Sequence, residues 1–309
     1  MKVLITDSIH EEGVRLLEKA GLQVDRRTDL AAGRLEEVIP PYEALLVRSR
    51  TKVSGGVIRA AVNLKVIGRA GVGLDNIDVE AAGRRGIRIV NSPEASTNAV
   101  AELTIGLMIA LARRLSYADA SMKRGVWAKG ELIGWELRGR TLGVIGLGRI
   151  GARVAEIARS LGVHVLAPER HGDSSLMERI GIECVPFEDL LRRSDVVTLH
   201  VPLGPATKRM MSSKEFEMMK MGSYLVNTSR GAVVDEKALL EALKSGRLAG
   251  AALDVYEAEP PSSQDLVAMK NVVCTPHIGG QTEESQKMAG VLLARKVIEV
   301  LGLGDRLKT

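Results

Sequence analysis

Three short segments carry side chains able to move a proton and hold a carboxylate. Thr275-Pro-His277 places an imidazole directly after an apolar, strand-like run. An imidazole titrates near neutral pH and suits acid–base work. Asp254-Val-Tyr-Glu-Ala-Glu259 places carboxylates after a second such run, where one could orient the ring. Asn227-Thr-Ser-Arg230-Gly231 follows a third, and its guanidinium can grip a carboxylate with a bidentate fork. Taken singly, a loop His, a solvent-facing Glu and a carbonyl-capping Arg are ordinary. Their recurrence at successive strand ends is what points to chemistry, because open parallel sheets bind ligands at the carboxyl ends of their strands.

The element that would position them is Gly146-Leu-Gly148-Arg149-Ile150-Gly151. The apolar run Leu142–Ile145 reads as a buried parallel strand. Ile150, Val154, Ile157, Ala158 and Leu161 then recur at helical spacing. The glycines therefore fall at a strand-to-helix turn. Gly146 allows the turn, Gly148 lets a pyrophosphate approach the backbone, and Gly151 lets helix and strand pack closely. The helix N-terminus offers N–H groups and a positive dipole end to that anion. A dinucleotide site also needs an acid at the end of the next strand, to bind the adenosine ribose. Val163–Glu169 supplies one, 169 − 151 = 18 residues past the last glycine.

Around this centre strands alternate with helices. Strands are expected at 3–6, 22–25, 44–47, 66–68 and 88–90, with helices at 11–20, 54–61 and 78–85. After a turn-rich break at 93–98 come a long apolar helix, 98–114, and a polar stretch containing Trp127 and Trp135. Further strands are read at 196–199, 224–227, 251–253 and 272–274, with helices near 187–193, 213–220 and 235–245. A last helix, 283–301, is long enough to return to the first module. The fold class is α/β with two doubly wound parallel-sheet (Rossmann-like) domains, the smaller one discontinuous. The substrate domain is expected at 1–96 and 283–309, the dinucleotide-binding domain at 97–282.

Composition narrows the class. Aromatic residues make up 3% of the 309, which argues against stacked-base platforms and so against nucleic acid as a partner. The formal net charge is +5, with no block of like charges. Cys184 and Cys274 sit in separate apolar contexts and are expected as buried thiols in a reducing compartment. No clustered His/Cys spacing suggests a metal. The chain opens directly with a strand, so no signal peptide is expected, and 100–112 is too short to span a membrane. A cytoplasmic protein follows from these readings.

The motifs Val47-Arg-Ser-Arg-Thr-Lys-Val53, Arg69-Ala-Gly-Val-Gly-Leu-Asp-Asn-Ile-Asp78, Ala101-Glu-Leu-Thr104, the glycine fingerprint, His200-Val-Pro-Leu203, Asn227-Thr-Ser-Arg-Gly231, Asp254-Val-Tyr256 and Pro276-His-Ile-Gly-Gly280 together resemble the D-isomer-specific 2-hydroxyacid dehydrogenases over nearly the whole chain. The resemblance implies His277 as acid/base, Glu259 as its orienting partner and Arg230 on the substrate carboxylate, helped by the backbone N–H groups of Val72 and Gly73. It implies NAD as cofactor, lined by Gly146, Gly148, Arg149, Ile150, Gly151, Val201, Thr228, Ser229, Arg230, His277 and Gly280, with Asp254 accepting from the nicotinamide carboxamide. Glu169 follows Pro168 where the family usually has Asp after an aromatic; it still repels a 2′-phosphate, although Arg170 and His171 adjoin it. Arg48 and Arg69 sit where the resemblance puts phosphate contacts, so the expected substrate is a phosphorylated 2-hydroxy acid, with Arg50 either an addition or a surface charge. Competing expectations are a reductase of glyoxylate or hydroxypyruvate and, in another class, an NAD(H)-sensing corepressor-like binding protein. A homodimer through 98–135 is expected, with Met108, Leu111, Trp127 and Trp135 supplying apolar area. Because the sequence stops at Thr309, the C-terminal regulatory domains of longer members are not expected.

Overall fold

In the computed structural model the first sheet is built from five four-residue strands. β1 (Lys2–Ile5), α1 (Glu11–Lys19), β2 (Gln23–Arg26), α2 (Leu35–Val38), β3 (Ala44–Val47), α3 (Gly55–Ala60), β4 (Val66–Arg69), α4 (Val79–Arg84) and β5 (Arg88–Asn91) follow one another. The structure describes residues 1–31, 33–168, 174–262 and 264–304. Every strand is parallel, in the order β2-β1-β3-β4-β5. β3 is buried at all four positions, as a strand covered on both faces must be. Polar residues start the helices: Ser54 accepts from the Val57 N–H and Asp78 from the Ala81 N–H, satisfying donors the helix leaves open.

The second sheet has seven strands. α5 (Thr97–Arg113) and α6 (Leu115–Lys123) lead into β6 (Thr141–Ile145), α7 (Arg149–Ser160), β7 (His164–Pro168), α8 (Ser174–Ile180) and β8 (Glu183–Val185). Then come α9 (Phe187–Arg193), β9 (Val196–Leu199), α10 (Ser213–Met218), β10 (Ser223–Asn227), α11 (Glu236–Lys244), β11 (Leu248–Leu253), α12 (Gln264–Val267) and β12 (Val272–Cys274). The order is β12-β11-β10-β9-β6-β7-β8, again all parallel. α13 (Glu283–Val300) closes the chain and packs on α1. The chain divides into two compact units, Met1–Ser96 with Gly280–Thr309, and Thr97–Gly279. Gly280, expected beside the cofactor, thus groups with the first unit.

Several expectations are corrected. Met108 and Leu111 are buried in the core between α5 and the second sheet, and Trp135 packs against the same core. They fill the monomer, and of the four proposed interface residues Trp127 alone is exposed, at 76%. The stretch read as polar contains α6, whose mixed surface hides its helical period. Cys184 is exposed and Cys274 half-buried, both as free thiols, so burial was wrong for the first. Among the described residues no helix is long and apolar enough to cross a membrane.

Candidate active site

In the second unit the strand order reverses between β6 and β9, which opens a crevice at their carboxyl ends. Gly146 lies there with φ +102, a conformation that favours glycine. A Cβ on it would stand 2.5 Å from the His200 carbonyl oxygen after β9. A Cβ on Gly151 would overlap the Gly146 carbonyl oxygen. Both glycines therefore answer to contacts within the chain. Gly148 does not: its φ is −74, and a Cβ there would meet nothing within 4 Å. Its bareness leaves backbone open to an approaching group, beside first-turn N–H groups of α7 that have no intrahelical acceptor. This fits a dinucleotide pyrophosphate. The expected ribose acid Glu169, with Arg170 and His171, lies outside the described residues.

An imidazole–carboxylate pair is formed by two further loops. His277 Nδ1 and Glu259 Oε2 are 2.7 Å apart. Burial alone would raise the Glu259 carboxyl; the hydrogen bond and charge of His277, the Tyr256 N–H and the Arg230 charge outweigh it and hold it below its ordinary value. An ionised carboxylate only accepts, so Nδ1 carries the proton and Nε2 is left to exchange one with a ligand. Both side chains are about two-fifths exposed, at 41% and 39%, so a ligand can reach them.

Asp254 builds the His277 loop, a role its sequence position did not reveal. Its buried carboxylate accepts from Thr275 Oγ1 (2.6 Å), the Ile278 N–H (2.8 Å) and the Gly279 N–H (2.9 Å), and its carbonyl accepts from the His277 N–H (2.8 Å). These bonds hold His277 at φ +53, a left-handed conformation costly for a non-glycine residue. Asp254 was expected against the nicotinamide; the structure shows its carboxylate clamping the loop.

Asn227 builds the Arg230 loop in the same way. Its Oδ1 accepts from the N–H and hydroxyl of Ser229, and its Nδ2 donates to the Arg230 carbonyl. Thr228 is tied to Thr104 through their hydroxyls at 2.9 Å. A Cβ on Gly231, the residue after Arg230, would overlap the Tyr256 carbonyl group, so this loop lies directly on the Asp254–Glu259 loop. Arg230 donates to the Ser229 carbonyl and adds its charge beside Glu259. Val201, the other expected cofactor-lining residue, is half-buried after β9. Next to it, burial holds His200 down to about 3, so it is neutral at working pH.

In the first unit the order reverses between β1 and β3, and the expected phosphate loop lies at that point. Asp7, 4% exposed, accepts from the N–H groups of Arg48 and Thr51, the Thr51 hydroxyl and Arg50 Nε. Arg50 also donates to the Thr6 and Thr28 carbonyls. Arg50 is thus a structural tie of this loop. Arg48 differs: burial pulls its guanidinium below the ordinary value against the charge of Asp7, and that group makes no hydrogen bond or ion pair among the described residues. Arg69 ends β4 and lies against Gly71. The Ala70–Gly73 loop is held by Ser92, which accepts from the Gly71 N–H, and Asn91, which donates to the Val72 carbonyl. The N–H groups of Val72 and Gly73 donate to nothing among the described residues.

Comparison with known proteins agrees with this geometry. Residues 105–279 match the model of the D-isomer specific 2-hydroxyacid dehydrogenase NAD-binding domain. The chain is 47% identical to the D-3-phosphoglycerate dehydrogenase of Methanocaldococcus jannaschii, over 97% of this chain and 57% of that protein. It is 42% identical to the hydroxypyruvate reductase of Thermotoga maritima, over 98% of this chain and 99% of that one. The TT0316 protein of Thermus thermophilus superposes with a TM-score of 0.90 at 36% identity, over 98% and 97% of the two chains. This chain belongs to the D-isomer specific 2-hydroxyacid dehydrogenase family, and its seven-stranded unit contains the NAD-binding domain. The chain spans a little over half the length, 57%, of the first phosphoglycerate dehydrogenases it matches.

Proposed function

We propose that this chain oxidises D-3-phosphoglycerate to 3-phosphohydroxypyruvate, the entry to serine biosynthesis. The observation that carries the chemistry is the Glu259–His277 pair at 2.7 Å. When bound, NAD supplies the hydride acceptor. As C2 loses its hydride, His277 takes the C2 hydroxyl proton at Nε2, and Glu259 steadies the imidazolium that forms. Arg230 holds the substrate carboxylate and polarises the C2 oxygen; the N–H groups of Val72 and Gly73, in the first unit, are likewise open to an anion. In this reading the first unit is the substrate domain.

The choice of substrate rests on Arg48, a half-buried guanidinium at a sheet switch point with no acceptor among the described residues. Such a cation calls for an anion, and the C3 phosphate is one; Arg69 assists. Initial rates at the NADH band test the proposal. D-3-phosphoglycerate with NAD should turn over well, and His277→Ala should lower the rate about 10²–10⁴-fold. Undiminished turnover in that variant would remove His277 from the mechanism. A folded wild-type protein that binds NADH yet turns over no hydroxy or keto acid would favour the sensor reading. Arg48→Ala should raise KM for phosphoglycerate and spare glyoxylate. A second reading, a hydroxypyruvate reductase, draws support from the Thermotoga relative of matching length. Fast hydroxypyruvate reduction with no phosphoglycerate oxidation would select it.

We also infer a homodimer. Leu115, Met122, Val126, Trp127 and Ile133 all stand exposed on and after α6, Ile133 at 87%, and so many large apolar side chains in one segment mark a contact surface. Light scattering should give twice the chain mass; a monomer would overturn the inference.

A further inference from the structure

The amino edge of the seven-stranded sheet, at the opposite end of the strands from the glycine loop, holds a cavity of about 260 Å³. It is smaller than the roughly 300 Å³ lower end of ordinary ligand pockets. Its walls are the foot of β6 (Arg140), the residue before β9 (Asp195), the turn after α10 (Lys220, Met221) and the foot of β10 (Ser223, Tyr224), with Trp135 beside them. The cavity lies within one unit and shares no residue with the site described above.

Its chemistry is specific. Trp135 and Tyr224 have ring centroids 5.0 Å apart, and the indole N–H donates to the Tyr224 hydroxyl at 3.0 Å. Arg140 lies over the indole at 5.5 Å. Lys220 Nζ is 2.6 Å from Asp195 Oδ1, while Asp195 Oδ2 accepts from the Thr141 N–H at 2.9 Å. Arg140 reaches the same carboxylate only at 4.0 Å. Burial alone would raise the Asp195 carboxyl; Lys220 and the Thr141 N–H outweigh it, so it is charged at neutral pH. Ser223 adds a buried hydroxyl with no hydrogen-bond partner among the described residues.

We propose that this cavity is a second ligand site, distinct from the active site, for a small organic monocarboxylate with an apolar body. The charge count selects the class. Two cations face one carboxylate, so one further negative charge balances the cavity, whereas a phosphate dianion would overfill it. Arg140, held only loosely by Asp195, is the group that can turn to the incoming carboxylate. The indole and Met221 offer apolar surface to the remainder of the ligand.

Benzoate and inorganic phosphate are suitable probes, added separately to full-length Trp127→Phe protein so that Trp135 is the only indole of the two in the sequence. Benzoate should change the emission saturably, with phosphate at least tenfold weaker. Arg140→Gln and Lys220→Gln should each weaken benzoate about tenfold. Because Lys220→Gln also breaks an ion pair, Met221→Glu provides a second variant: Met221 is exposed, so the fold tolerates the change while an anion enters the cavity mouth, and benzoate should again weaken tenfold. Arg230→Gln should leave benzoate binding unchanged. The proposal fails if emission does not saturate by about 50 mM, roughly fifty times the 1 mM Kd that corresponds to about −4 kcal/mol. It fails equally if Met221→Glu binds as wild type, if phosphate binds as well as benzoate, or if Arg230→Gln abolishes binding and so moves the probe to the active site. Loss of phosphoglycerate turnover bears on the proposed function and leaves this outcome untouched.

Discussion

Gly148→Ala and Gly151→Ala look alike in sequence and should behave oppositely. At Gly151 the new methyl would overlap the Gly146 carbonyl oxygen, stand 3.0 Å from its carbonyl carbon and lie 3.3 Å from Val144 Cγ1. The obstacle is mostly backbone, and Gly146 cannot retreat because it is itself seated on the His200 carbonyl. Overpacking of this kind costs about 1–3 kcal/mol, and an immovable obstacle puts Gly151→Ala at the upper end, about 3 kcal/mol. For a unit of this size that lowers Tm by about 6–12 °C. At Gly148 the methyl meets nothing, and φ −74 suits alanine. Replacing a glycine N-cap by alanine costs about 0.5–1 kcal/mol, because glycine caps nearly as well as serine and alanine does not, and the less flexible unfolded chain returns about 0.4–1 kcal/mol. Stability should therefore stay within about 0.5 kcal/mol of wild type. Cofactor binding should still suffer, because the methyl separates the backbone from the pyrophosphate. One charge-assisted hydrogen bond at about 1.5–3 kcal/mol corresponds to a Kd for NADH about ten- to a hundredfold higher. Urea melts and NADH fluorescence titration measure the two effects. A Gly148→Ala protein that melts as early as Gly151→Ala, or binds NADH as tightly as wild type, would refute the assignment of Gly148 to the cofactor.

Asp254→Asn sets an amide N–H₂ against one of three donors and should cost about 2–3 kcal/mol; kcat should fall at least tenfold while the NADH Kd moves less than threefold. A large rise in that Kd with kcat unchanged would return Asp254 to the nicotinamide. Asp7 has a carboxyl held below its ordinary value, so its contribution is fully present above about pH 4, the unfolded carboxylate pKa, and is lost as pH falls through the lower folded value. The urea midpoint of wild type should drop on that acid side, and Asp7→Asn, about 2 kcal/mol weaker at pH 7, should drop less; equal acid slopes would discount Asp7.

The parts of this molecule that a sequence exposes are those decided locally. β3, β9 and β12 end where their apolar runs end, and His277, Glu259 and Arg230 are readable because each follows such a run. What stays hidden is decided by distant partners. Arg48 and Arg50 are two residues apart, alike in charge and both on the loop after β3. Asp7, some forty residues upstream, takes the side chain of Arg50 and only the backbone N–H of Arg48, which leaves the Arg48 guanidinium without a hydrogen bond or ion pair among the described residues. Met108, Leu111 and Trp127 share the apolar character that an interface and a core both demand, and only the packing of α5 on the second sheet separates them. Asp254 shows the same limit from the polar side. A carboxylate after a strand can face a cofactor or tie down the next loop, and the choice depends on whether N–H groups more than twenty residues ahead fold back to it. Here Ile278 and Gly279 do. Asp254, expected as a ligand contact, also holds the loop on which His277 stands 2.7 Å from Glu259.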